Sequence, residues 1–137
     1  MIEIELETSG RTEFVDVTAQ VEAAVARLGL DHGTVTVFNP HTTAGVTVNE
    51  GADPDVVRDL GTILDRLVPW SGGYRHAEGN AAAHAKASLM GSAVTLLVQG
   101  GRPVLGTWQA IWFCEFDGPR RRRLLVGAGA GRADGGG

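Results

Sequence analysis

Cysteine is nearly absent from this chain: Cys114 is the single one among 137 residues. One cysteine excludes an intramolecular disulfide framework and any zinc site built on two thiolates, and it makes a reducing cytoplasm the expected setting. No apolar run approaches the roughly 20 residues needed to cross a bilayer. The acidic start MIEIELETSG is unlike a secretory signal, so membrane-spanning and exported readings are set aside. Internal repeats and coiled-coil heptads are missing as well. Bases are scarce over most of the chain: residues 1–117 hold 15 acids and 7 bases, a net −8. Duplex binding rests on neutralising many phosphates, so this balance excludes a general nucleic-acid function.

What positive charge there is lies in one place. Residues 118–137 carry five arginines and one aspartate, a net +4, and four of those arginines are consecutive, Arg120 to Arg123. Such a spot suits a small phosphorylated ligand. A composition of 43% hydrophobic and 20% charged residues is ordinary for a globular chain, and the length fits one domain. Twenty glycines are about double the usual share. Several crowd the segment 127–137 (GAGAGRADGGG), which has nothing apolar to bury and is expected to be a disordered tail after a single domain of residues 1–126.

Periodicity predicts mixed elements with strands in the majority. Ile2, Ile4 and Leu6 alternate with Glu3, Glu5 and Glu7, a strand with one wet face, and residues 13–17 are expected to be its hairpin partner. Thr18 is a candidate cap for a helix over 19–28 that stops at Gly29. Residues 34–39 and 44–49 read as β-branched strands joined by Pro40-His41-Thr42-Thr43. Asp53-Pro54 opens a helix whose Val56, Val57, Leu60, Ile63, Leu64 and Leu67 form one stripe, closed by Pro69. Residues 70–80 (WSGGYRHAEGN) read as a loop, and a helix follows over 81–90. Strands are expected at 92–98, 103–106, 108–116 and near 121–126. Trp108–Asp117 is apolar on both faces, which places it inside a layered sheet. The predicted class is α+β: a mainly antiparallel, β-sandwich-like core with two or three attached helices.

Several polar residues are left over by this scheme. His41-Thr42-Thr43 fills a turn, Asn49-Glu50 ends a strand, His76 and Glu78 lie in the glycine-rich loop, and His84 follows on the next helix. Histidine supplies or takes a proton near neutral pH, and neighbouring carboxylates orient it or bind a cation. No spacing matches a zinc motif such as HExxH, so the metal signal is weak. His32, in a turn beside Asp31, and Cys114, centred in an apolar strand, read as structural. His84 and Lys86 stand about 200° apart on a helix and cannot share one pocket of one chain. Gln109 and Glu115 share a strand face but lie roughly 20 Å apart. Strand alternation sends Arg120 and Arg122 one way and Arg121 and Arg123 the other. Arginine forks grip phosphate in pairs of bonds, although the same run also reads as a charged strand edge, with Glu115 to neutralise it.

Three segments, HTTAGVTVNEGADPDV (41–56), YRHAEGNAAAHAKASLMGSAVT (74–95) and GTWQAIWFCEFDGPRRRR (106–123), closely resemble the YjbQ-like family, known as secondary thiamine-phosphate synthases. The resemblance runs from residue 2 to about 126. It implies a compact β-sandwich-like α+β fold, a homotrimer, and sites where subunits meet, which would let a neighbour receive Lys86 or the arginines. Family motif positions fall on His41, Thr42, Asn49, Glu50, Asp53, His76, Glu78, Asn80, His84, Gln109, Glu115, Arg120 and Arg122. Departures are Thr43 for a frequent Ser, Gly51 for a frequent Asn, and Ala81-Ala82 for a common Ser-Asp, which removes one possible metal ligand.

The leading expectation from the resemblance is an enzyme that joins a pyrimidine methyl diphosphate to a thiazole phosphate. His41, Asn49, Glu50, His76, Glu78 and His84 would be the catalytic set, and Thr42, Lys86, Gln109, Arg120 and Arg122 would hold the phosphorylated heterocycle. A divalent metal, Mg2+ or Zn2+, is the cofactor that this chemistry allows, with His76, Glu78 and His84 as its ligands. The alternatives are a metal-dependent hydrolase of a small phosphorylated compound and a non-enzymatic trimeric module that binds an anionic metabolite.

Overall fold

Residues 1–129 are described in the computed structural model of the chain. They form β1 (Ile2–Glu7), β2 (Glu13–Asp16), α1 (Thr18–Leu28), β3 (His32–Phe38), β4 (Ala44–Glu50), α2 (Pro54–Leu67), α3 (Ala81–Met90), β5 (Ala93–Gln99), β6 (Arg102–Pro103), β7 (Gln109–Glu115) and β8 (Arg121–Ala128). All pairings are antiparallel. They make a five-stranded sheet, β1-β8-β3-β5-β6, and a three-stranded sheet, β2-β7-β4. This is the α+β, sandwich-like architecture expected from the strand patterns.

Alternation explains how the two sheets face each other. In β1 the isoleucines point inward and the glutamates outward, while in β8 Arg122, Leu124 and Val126 point inward. Ile4, Val35, Val37, Leu124 and Val126 of the larger sheet meet Val46, Ile111 and Phe113 of the smaller one, with Val21 and Val25 of α1 closing one side. The other face of β7 contributes Cys114 to a second cluster with Phe116 and with Ala83 and Ala87 of α3, flanked by Leu64 of α2. Both faces of β7 are therefore covered, as its doubly apolar sequence requires. Burial holds the Cys114 thiol protonated, well above the usual thiol range, so it is a core residue.

Some expectations fail. β2 does not form a hairpin with β1: it pairs with β7 from Glu13 opposite Glu115 to Asp16 opposite Trp112, while β1 pairs with β8. Charge explains the choice, since Glu5 faces Arg123 and Glu7 faces Arg121 across β1 and β8. Thr18 is the first residue of α1 rather than its cap. Asp16 Oδ1 accepts the Thr18 N–H at 2.9 Å, and Thr18 Oγ1 accepts the Ile111 N–H at 2.9 Å, stitching α1 to β7. The domain does not stop at residue 126. β8 continues through Gly127 and Ala128, which lie opposite Thr36 and Val35 of β3. The rest of the expected tail, residues 130–137, lies outside the described residues.

Other local signals hold. Asp53 caps α2, its Oδ1 accepting the Asp55 N–H at 2.9 Å, with Pro54 as the first helical residue. Gly29 closes α1 at φ +67°, and Gly100 and Gly101 make the tight β5–β6 turn at φ +60° and +76°. α2 rests loosely on the smaller sheet: none of its residues is fully buried, and Ile63 and Leu67 are 49% and 68% exposed.

Candidate functional site

Three connections converge at one end of the molecule: the β3–β4 turn, the loop before α3 with that helix's first turn, and the β7–β8 connection. Buried Asn39 shapes the first. Its Nδ2 donates to the carbonyls of Ala44 (2.6 Å) and His41 (3.1 Å), and its Oδ1 accepts the His41 N–H at 3.1 Å. The turn so held presents His41, Thr42 and Thr43 to a polar cavity of about 400 Å³. His76, Glu78, Asn80 and His84 line its second side, and Asp117, Arg120 and Arg122 its third.

The floor is an ion pair between the sheets. Arg122 Nε and Nη2 donate to Glu115 Oε1 and Oε2 at 2.8 and 2.5 Å, and Nη2 also donates to Thr43 Oγ1 at 2.8 Å. Thr8 Oγ1 and the Asp117 N–H donate to the same carboxylate at 2.7 and 3.1 Å. Burial pushes the Glu115 carboxyl up, but these donors outweigh it and hold it below the usual carboxylate range. Glu115 thus neutralises one member of the arginine run, Arg122, while Arg120, Arg121 and Arg123 pair with Asp117, Glu7 and Glu3. It also withdraws Arg122 from the role of a free phosphate grip, because that guanidinium is already engaged inside the protein.

Each histidine is set differently. His41 Nε2 lies 2.9 Å from the Arg123 main-chain nitrogen and 3.2 Å from its carbonyl oxygen, so the Arg123 backbone holds the ring. Burial, followed by the nearby Arg122 charge, lowers its pKa below the ordinary histidine value. His76 and His84 pack edge to face with ring centres 5.3 Å apart. Glu78 Oε2 lies 3.9 Å from His76 Nε2, and both side chains reach solvent. Arg120 is half exposed, with Nη2 on Asp117 Oδ2 at 3.0 Å, and is the cation left facing the cavity. A second hollow of about 570 Å³ begins beyond His41, Thr42 and His84 and runs over Ala44, Ala87 and Ser88.

Other expected site residues lie elsewhere. Lys86, 3% exposed, turns to the opposite face of α3 and binds Asp65 of α2, as the helix angle required, so it does not reach the cavity of its own chain. Asn49 and Glu50 stand opposite Ala110 and Gln109, at the far end of β4 and β7 from Ala44 and Glu115. Six residues of strand put Glu50 about 20 Å from Ala44, at the cavity end of β4. Their polar groups are occupied locally: Asn49 Oδ1 by the Glu50 N–H, Glu50 Oε2 by the Ala52 N–H, and Gln109 Oε1 by the Gly106 N–H. Asp53 is a helix cap, and exposed His32 pairs with Asp31 at 2.8 Å. Among the described residues no three His, Cys, Asp or Glu side chains are grouped to hold a metal ion, and the stacked His76 and His84 with Glu78 do not form such a group.

Asp117 is a site residue that the sequence reading did not single out, and Thr43 entered it only as part of the His41-Thr42-Thr43 turn. The signal for Asp117 was its place between a buried strand and four arginines, in a connection. A groove of about 500 Å³ along β1 and β8 is lined by His41, Arg121 and Arg123, but these arginines are paired with Glu7 (3.2 Å) and Glu3 (2.9 Å) and form a charged strand edge.

The profile of the family described as UPF0047 protein YjbQ-like matches residues 2–129. The UPF0047 protein YugU of Bacillus subtilis is 48% identical over 124 residues, covering 90% of this chain and 94% of that protein. A UPF0047 protein of Methanocaldococcus jannaschii is 43% identical over 126 residues, covering 92% and 91%. A crystal structure of a YjbQ/UPF0047-family protein from Clostridium acetobutylicum superposes with a TM-score of 0.91 at 51% identity, covering 93% of this chain and 99% of that one.

Proposed function

The chain belongs to the YjbQ-like UPF0047 family, and from that premise we propose that it is an enzyme acting on phosphorylated heterocycles, with formation of thiamine phosphate as the reaction in which to look for turnover. The observation that carries this reading is the convergence of His41, His76, His84 and the half-exposed Arg120 on one polar cavity. In the proposed step the thiazole nitrogen attacks the methylene carbon of the pyrimidine. A C–N bond forms, the C–O bond to the diphosphate breaks, and the diphosphate leaves with the electron pair. Arg120 meets the charge that grows on the departing group, and His76 and His84 donate hydrogen bonds or a proton to it. Glu78, on the exposed side of His76, faces the positive charge left on carbon. His41, held by the Arg123 backbone, orients the substrate.

The test is the rate of thiamine phosphate formation from the two precursors, with and without added Mg2+, beside a His76→Ala control. Turnover that disappears in the variant supports the reading. No turnover above the variant, in folded protein, overturns it, and binding of the phosphorylated compounds without turnover would point to the non-enzymatic module instead.

We also propose the homotrimer that the resemblance implies. Leu67, Leu89, Leu97 and Trp108 are 68%, 64%, 65% and 65% exposed and are the apolar side chains that subunit contacts would cover. Asn49, Glu50 and Gln109, remote from their own cavity, would then act only beside a neighbour's. The mass of the assembly in solution tests this, and a monomer overturns it.

A further inference from the structure

Every residue from Ser71 to Gly79 is exposed, and this stretch carries His76 and Glu78 to the polar cavity. Both of its ends are fixed. Trp70 packs against the second core cluster, with the Arg11 guanidinium 4.1 Å over its ring. Asn80 is buried, its Nδ2 donates to Asp117 Oδ2 at 2.8 Å, and its carbonyl accepts the Ala83 N–H at 3.0 Å. Between these posts, among the described residues, hydrogen bonds run only within the stretch or back to Pro69. Tyr74 Oη donates to the Pro69 carbonyl at 2.7 Å, and the Gly79 N–H goes to the His76 carbonyl at 3.1 Å. Each bond closes a small turn of its own. Arg75, the link between the two turns, makes none.

The tie from the second turn to the body is ring on ring. His76 stands edge to face on His84, with ring centres 5.3 Å apart, and His84 is held on α3. One aromatic pair on an otherwise solvated segment is a weak tie, of the kind that local opening breaks and remakes. We propose that residues 75–79 form a hinged flap that gates the polar cavity, with His76 on His84 as its latch. Arg75 is one hinge. Gly79, at φ +74°, is the other, in a region of backbone space that glycine enters and leaves readily. Shut, the flap puts His76 and Glu78 on the second side of the cavity. Open, it carries both away together, leaves Asn80 and His84 behind, and frees that side for entry and release. The gate concerns motion and not the compound admitted, so it stands or falls apart from the thiamine phosphate reading.

Trypsin cleavage after Arg75, followed by mass spectrometry at pH 8 with no ligand added, reads the open flap. At low trypsin the rate of this cut follows the open population. His84→Ala removes the latch and should speed the cut about two- to tenfold, the range that an aromatic pair is worth, while cuts at other arginines keep their rates. His84→Phe keeps a ring against His76 and should return the rate close to wild type. A nitroxide on Ala77→Cys gives a second readout, since Cys114 is buried and out of reach of the label. Its spectrum should sharpen in His84→Ala and broaden again in His84→Phe. An unchanged Arg75 rate and spectrum in His84→Ala overturn the latch. A rise shared by every cleavage site is general loosening and overturns the flap, and a rise that His84→Phe does not reverse overturns the ring contact as its cause.

Discussion

Arg122 and Glu115 bond to each other between the two sheets, at 2.8 and 2.5 Å, with 3% and 0% of their side chains exposed. The pair joins β8 to β7 and carries Thr43, Thr8 and the Asp117 N–H with it, so the cavity floor and the core are one piece.

Breaking that pair should be severe. Glu115→Ala leaves a buried guanidinium without its partner and should cost about 3–5 kcal/mol in urea or thermal unfolding. Acid should do the same by degrees. Glu115 is held below its ordinary value in the folded protein, so its contribution is complete above the unfolded carboxylate value of 4.5 and fades as pH falls through the lower folded value. Melting temperature against pH should show this fall in wild type and lose it in the variant.

His41 has a signature at milder pH. Burial and Arg122 depress its folded pKa below 6.5, so the unfolded chain takes up the proton first. Stability should therefore be full above pH 6.5 and decline as pH drops from there through the folded value. His41→Asn should flatten this part of the melting curve. A curve with the same slope in both proteins would mean that burial and Arg122 do not hold His41 neutral in the folded protein.

Lys86 and Asp65 separate structure from binding. Asp65→Ala strands the buried ammonium and should cost about 1–2 kcal/mol, a figure reduced because Asp65 is largely in solvent. Lys86→Met, which keeps the stem and drops the charge, should cost less. Affinity for a phosphorylated probe should not change in either, provided the cavity is built from one chain. A loss of affinity confined to Lys86→Met would put this lysine in a neighbour's site.

Gly51 is a steric test. A Cβ there would lie 2.4 Å from the Cβ of Ala110, too close for two carbons. Gly51→Ala should destabilise by about 1–3 kcal/mol, and Ala110→Gly in the same chain should restore most of it.

Much of this could be read from the residues. The alternation in β1, the Asp53-Pro54 start of α2, the glycine stops and the two-faced β7 all follow from local rules, and the two histidine-bearing connections line one cavity. Pairing was less legible, because Phe14 and Val15 suit any apolar neighbour strand, and only the Glu-to-Arg register of β1 and β8 settles the partners. The arginine run was half legible. Alternation separated Arg122 from Arg121 and Arg123, but which set faced inward depended on Glu115, which shares the inner face with Ile111 and Phe113. The scatter of Asn49, Glu50 and Gln109 needed the register of β4 on β7. The buried state of Lys86 needed α2 in place.

Among the described residues β8 is the last strand in chain order, yet it lies second in its sheet, between β1 and β3. During synthesis β1 leaves the ribosome well before β8 and waits, unpaired, for a partner more than a hundred residues behind it. Until residues 121–128 emerge, the larger sheet is split, His41 lacks the Arg123 N–H, and Glu115 has no counter-ion. The core and the cavity are thus completed by the same late event, and a nascent chain stalled before β8 would have neither.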